Sequence, residues 1–259
     1  MITADGLLLQ RAEELLDRAR KGEITYTPFL NPGEQLRLIR RLGAADEIVC
    51  WGGYELAERK RIFFLPPYLT ELEPPLREEC LADVYAECMV AVEVRGSGYR
   101  ELTHRDFKGA LLHLGVEYDH IGDICVPETD RGIFFCDRVM AAFFAEHLER
   151  VASDTVHLQI IELPPSFDGG RKFQPISDTV ASPRADAVVA ALANLSRERA
   201  QALFRCGKIE IDYEVTERTD RAVSEGAVVV IHGCGKFIIR SLSDQTRKGR
   251  YRLLADRYV

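Results

Sequence analysis

Arg184, Arg197, Arg199 and Lys208 are the residues of this chain whose types and spacing could do chemistry together. Arginine presents a planar fork of N–H donors that matches phosphate oxygens, and lysine presents a point charge. Such a set can neutralise a phosphate backbone without reading base sequence. Ser196, Lys236 and the tail residues Arg247 and Lys248 are grouped with them as RNA-binding candidates. Charge alone leaves another reading open, in which these are solvated helix faces and Arg184 simply pairs with Asp186.

Other groups also have residue types suited to chemistry. Arg59-Lys60-Arg61 is the densest basic cluster of the N-terminal half, and His104 and Arg105 precede a helix whose N-terminus favours anions. All five are secondary RNA-contact candidates, with a solvated loop and helix capping by His104 and Asp106 as the alternatives. His104-Arg105-Asp106 has the opening of a kinase catalytic loop but Leu111 where that loop needs asparagine. Gly233-Cys234-Gly235-Lys236 lacks phosphate-loop spacing. No nucleophile or carboxylate pair has a partner arrangement, so neither an active site, a cofactor nor a small-molecule substrate is expected.

The elements that must position the cations come next. Ala185, Val188, Val189, Leu192 and Leu195 recur at helical spacing, Ser196 is an N-cap for a second helix over 197–205, and Gly207 stops it. Ile209 and Ile211 then alternate with Glu210 and Asp212, and strands follow at 227–231 and 236–239. Upstream, an amphipathic helix through Leu8–Ala19 precedes an Asn31-Pro32 helix start, with strands at 47–51 and 61–65. From about residue 82 the order is strand, helix, strand, strand, helix, strand, the ferredoxin-like βαββαβ unit that RNA-recognition motifs also use. Phe134 and Phe135 lie on its third strand, where one must face inward, and core packing is preferred to base stacking. Pro164-Pro165, Gly169-Gly170 and Pro175 mark a linker. The expectation is an α+β chain: an N-terminal α/β subdomain at 1–75, a ferredoxin/RRM-like domain at 76–164, a linker at 165–180 and a two-helix, strand-rich module with a basic tail at 181–259.

Hydrophobic residues at 46% and charged residues at 29% fit a soluble globular chain, and there is no membrane-length apolar run or signal-peptide layout. Seven cysteines without a C-x-x-C pair suggest neither disulfides nor zinc, and a cytoplasmic location. The net charge of −7 divides unevenly. Residues 175–259 hold 14 Lys+Arg against 11 Asp+Glu, and the rest 20 against 30. A basic module on an acidic body would orient on a polyanion.

Ser182-Pro183-Arg184-Ala185-Asp186, Leu195-Ser196-Arg197 with Ala200 and Leu203, Gly207-Lys208-Ile209 and Glu225-Gly226 resemble the S-four RNA-binding domain, an αL-type module. Ala185 replaces its usual leucine and Asp212 its usual asparagine, which adds a negative charge near the RNA face. Phe29-Leu30-Asn31-Pro32, Gly52-Gly53-Tyr54-Glu55 through Arg61, His104-Arg105-Asp106-Phe107 through Leu111, and Ile121-Gly122-Asp123 resemble the bacterial YlmH family over nearly the whole chain. That resemblance implies a non-enzymatic factor that binds rRNA and tRNA on the large ribosomal subunit and meets quality-control factors during alanine tailing of stalled chains. The alternatives are an RNA-modifying enzyme of pseudouridine-synthase type and a cell-division scaffold.

Overall fold

Asn31 opens its helix by a reciprocal capping box. Its Oδ1 accepts from the Glu34 N–H at 3.0 Å, and Glu34 Oε2 accepts from the Asn31 N–H at 2.7 Å. A computed structural model of the chain describes residues 4–245 and 249–258. Helix α1 (Ala4–Arg20) and this helix, α2 (Pro32–Leu42), cover one face of a three-stranded antiparallel sheet. Its strands are β1 (Thr25–Tyr26), β2 (Ile48–Trp51) and β3 (Arg61–Phe64), in the order β1-β3-β2. All four residues of β3 are buried, Ile62 and Phe64 toward the helices and Phe63 toward the opposite core.

Two helices follow, α3 (Pro67–Thr70) and α4 (Leu76–Cys88). The second, which falls in a stretch left unassigned above, turns Leu81, Val84, Tyr85 and Cys88 toward the core at helical spacing. Then come β4 (Met89–Arg95), α5 (His104–His113), a 3-10 turn Tyr118–His120, β5 (Ile121–Glu128), β6 (Arg131–Asp137) and α6 (Arg138–His147). A two-residue hairpin, β7 (Arg150–Val151) and β8 (Asp154–Thr155), precedes β9 (His157–Ile161). The four-stranded sheet has the order β5-β6-β4-β9 with every pair antiparallel, which is the ferredoxin-like arrangement expected of βαββαβ. Helix α6 ends at His147, and the hairpin follows within three residues.

Phe134 and Phe135 are both fully buried, on opposite faces of β6. Phe134 packs with α5 and α6 residues. Phe135 stacks on Tyr54 at 5.3 Å, and a Cβ at Gly53 would meet the Phe135 ring at 2.2 Å. The sheet face that an RNA-recognition motif offers to bases is therefore closed by the N-terminal segment. One core unites Phe29, Phe63 and Leu65 with Met89, Ala91 and Phe135, so the expected boundary near residue 75 lies inside a single unit, Met1–Gly170.

Asp123 fastens that junction. It accepts from the Tyr54 hydroxyl and from the N–H groups of Glu58 and Arg59, each at 2.8 Å. Asp123→Ala strands these donors and should cost about 3 kcal/mol, measured as a lower urea midpoint by Trp51 fluorescence; an unchanged midpoint would show that the contacts are replaced by water.

The second unit is Arg171–Val259. Its strands are β10 (Phe173–Val180), β11 (Ile209–Ile211), β12 (Glu214–Val215), β13 (Val228–Ile231), β14 (Gly235–Gln245) and β15 (Tyr251–Tyr258), ordered β10-β15-β14-β13-β11-β12. Helices α7 (Ala185–Leu192) and α8 (Arg197–Arg205) bury Val188, Val189, Leu192 and Phe204 with Ile209, Ile211, Phe237 and Ile239. The stretch read as linker is therefore structured in its second half: Phe173–Val180 pairs with Tyr251–Tyr258 along its full length. The tail strand β15 is interior to the sheet, between β10 and β14.

Candidate nucleic-acid interface

Helix α8 carries the basic residues because both its ends are set locally. Ser196 Oγ accepts the Arg199 N–H at 3.3 Å, and Gly207 at φ +64 ends the helix, with the Lys208 N–H returning to the Leu203 carbonyl at 3.0 Å. Arg197 and Arg199 thus stand at one end and Lys208 just beyond the other, about 15 Å apart, far enough to meet different phosphates. Arg199 and Lys208 are exposed, and their side chains have no ion pair among the described residues.

Arg197 and Arg184 are organised differently. The Asp186 side chain is wholly buried and accepts from Arg197 Nε at 2.9 Å and Nη2 at 3.1 Å, from Arg184 Nε at 3.3 Å and from Gln201 Nε2 at 3.2 Å. Burial pushes its pKa up, but the hydrogen bonds from Arg197, Arg184 and Gln201 outweigh that and hold it at about 2. The expected simple pairing of Arg184 with Asp186 is part of a larger clamp that joins α7 to α8. Both guanidiniums remain about half exposed, so each still presents an edge to solvent. Charge reversal at Arg197 would set a carboxylate against buried Asp186.

Beside this clamp, Val180, Ala187, Ala190 and Ala191 line a cleft of about 300 Å³ with Arg197 and Arg250 at its rim. Arg250 is positioned by Thr179, whose hydroxyl accepts from Nε at 2.9 Å. Arg250 belongs to the basic tail that sequence offers as a phosphate contact, and Thr179, 71 residues away, fixes where it stands. Arg247 and Lys248 lie outside the described residues. Lys236 is partly buried, with its ammonium 4.8 Å from the Tyr258 ring and 5.2 Å from the Tyr213 ring. Asp212 does not leave a bare negative charge: Arg221 Nη2 reaches Oδ2 at 3.2 Å, and Oδ1 accepts the Val228 N–H at 3.1 Å.

The Arg59-Lys60-Arg61 cluster is not a basic patch. Arg59 donates to the carbonyls of Ile121 at 2.8 Å and of Phe29 and Tyr118 at 2.9 Å. Arg61 is 2% exposed, lies between the Tyr26 and Phe29 rings, and is paired with Asp137. Burial lowers the pKa of both guanidiniums, with nearby Tyr118 opposing it at Arg59 and Tyr26 at Arg61. Lys60 and Arg59 are both partly exposed, but the Arg59 guanidinium is committed to those carbonyls. His104 and Arg105 are exposed on the first turn of α5, but Thr103 caps that helix, in a box with Asp106, and His104 does not. Among the described residues no group of three or more His, Cys, Asp or Glu is arranged for a metal, and no helix is long and apolar enough to cross a membrane.

A family model described as "Putative RNA-binding domain in YlmH" matches residues 89–164. Those residues run from the start of β4 past β9, so fold and match together define an α+β protein with an RNA-binding domain. The chain is also 31% identical over 232 residues to the ribosome-associated protein quality control protein P2 of Bacillus subtilis (strain 168), across 89% of this chain and 86% of that one. The chain belongs to the YlmH family. The cell division protein ylmH from Streptococcus pneumoniae aligns at 20% identity and a TM-score of 0.48, covering 63% of this chain and 94% of that chain. The match covers the whole of the four-stranded sheet of the middle domain. His104 and Arg105 fall within it.

Proposed function

We propose that this protein is a non-enzymatic factor that docks on rRNA and tRNA of the large ribosomal subunit during quality control of stalled nascent chains, including alanine tailing. The Bacillus relative carries ribosome-associated quality control in its name, and the shared family supports the same setting for this chain. The observation that carries the docking reading is the C-terminal basic set. Arg199 and Lys208 are exposed at the two ends of one capped helix, and Arg184 and Arg197 are held beside them by a buried carboxylate. Preset cations lose little freedom on meeting phosphate. Arg205, exposed on the last turn of α8, extends the set.

In the middle domain Phe135 is occupied by Tyr54, so RNA contact there falls to the α5 end with His104 and Arg105 rather than to stacking on the sheet. Helix N-terminal N–H groups and these side chains favour phosphate.

Co-sedimentation with separated ribosomal subunits tests the proposal. The protein should pellet with the large subunit at low salt and be released steeply as salt rises. Failure to pellet with either subunit at low salt, or pelleting with the small subunit alone, would overturn it.

A further inference from the structure

The outer face of the C-terminal sheet carries aromatic rings in a place where they serve no core. Register puts Phe173 of β10 beside Tyr258 of β15, Tyr258 in line with Lys236 of β14, and Lys236 opposite Val230 of β13. Their neighbours Phe237, Ile231 and Val229 point the other way, into the core with α7 and α8. Phe173 and Tyr258 meet edge-on at 5.0 Å, Lys236 lies against Tyr258 and Tyr213, Arg171 lies 5.9 Å over Tyr258, and Arg240 lies 5.4 Å over Phe173. Three rings and three cations share this face.

Tyr213 reaches this row at a backbone cost. It is the second central residue of the two-residue turn between β11 and β12, with φ +63 after Asp212 at φ +53. Such a turn ordinarily takes glycine there, because a side chain disfavours the left-handed region. A tyrosine in that position places a ring against Lys236. Two acidic groups on the same face are paired: Glu210 with His232 at 2.7 Å and Asp256 with Arg240 at 2.7 Å. The unit as a whole holds 16 Lys+Arg against 11 Asp+Glu.

We infer that this face is a stacking platform for unpaired RNA nucleotides, with Tyr213 and Tyr258 taking bases and Lys236, Arg171 and Arg240 attending the backbone. Sheet-borne rings flanked by cations take single strands because every base has a face to stack and every nucleotide a phosphate. The inference rests on the RNA-docking reading and adds a second surface to it. The helix α8 cations would hold structured RNA, and the sheet face an unpaired segment.

The full chain is titrated by fluorescence anisotropy with a labelled short single-stranded oligoribonucleotide and, separately, with a fully paired RNA hairpin. Tyr258→Leu should weaken single-strand binding about tenfold, leave the salt slope unchanged and leave hairpin binding unaltered. Tyr258→Phe keeps the ring and should bind as wild type. Tyr213→Gly relieves the left-handed backbone, so it should melt no lower than wild type and still lose single-strand affinity. Single-strand binding unchanged in both Tyr258→Leu and Tyr213→Gly, or an equal loss on the hairpin, would overturn the platform. Hairpin binding by the wild type without single-strand binding would overturn the platform and leave RNA docking standing. Binding of neither would overturn both.

Discussion

Asp186→Ala is expected to loosen the C-terminal unit by about 3 kcal/mol. The side chain is 0% exposed and is the common acceptor for Arg197, Arg184 and Gln201. Removing it deletes the bonds that tie α7 to α8 and leaves two guanidiniums facing each other across the gap. The change should open the helix pair before the sheet, because the sheet has its own continuous strand pairing. Trp51, the only tryptophan, lies in the other unit and would not report it. Hydrogen exchange of peptides covering 185–205 would, since local opening free energy sets protection there. Wild-type protection in those peptides would mean that the clamp contributes nothing to stability.

The same carboxylate predicts a pH dependence. Its folded pKa of about 2 lies below the ordinary 3.8, so ionised Asp186 favours the folded state. That contribution is present above the unfolded value and is lost as pH falls from about 4 to about 2, amounting to roughly 2 kcal/mol. Asp186→Asn should flatten this part of the acid stability curve. Arg197→Glu should resemble Asp186→Ala in exchange, and a loss of RNA binding by that variant would reflect unfolding as much as lost contact.

Arg199→Glu combined with Lys208→Glu is the clean functional counterpart. Neither side chain has an ion pair among the described residues, and both are exposed, so reversal should leave the melting temperature within a few degrees. Affinity for structured ribosomal RNA should fall about a hundredfold at moderate salt, because two attractive contacts become repulsive. A filter-binding titration checks this. Equal affinities for the variant and the wild type would move the docking surface away from α8.

Much of the helix pair was legible in the chain. The stripe Ala185, Val188, Val189 and Leu192 is the buried face of α7, and Ser196 and Gly207 cap α8 where their side-chain chemistry and backbone freedom suit them. The βαββαβ order also follows from local pattern. What stayed hidden was long-range pairing. Arg59 and Arg61 look like surface charge until Asp123, with which the Arg59 backbone bonds 64 positions on, and Asp137, 76 positions beyond Arg61, are brought to them. Arg197 looks like a free phosphate contact until Asp186 is seen to be buried beneath it. β10 carries Pro175 and follows a Gly-Gly pair, so it reads as linker until β15 supplies its partner strand. The stacking row escaped notice for the same reason: Tyr213, Lys236, Tyr258 and Phe173 are adjacent only through sheet register.

The most direct test of the central claim is the salt dependence of binding to purified large subunits, for the wild type and for Arg199→Gln/Lys208→Gln. If these two cations neutralise phosphates, both plots of log affinity against log salt should be straight, with the variant's shallower by about two. Parallel lines would contradict the account, because they would show that neither residue releases a counterion on binding.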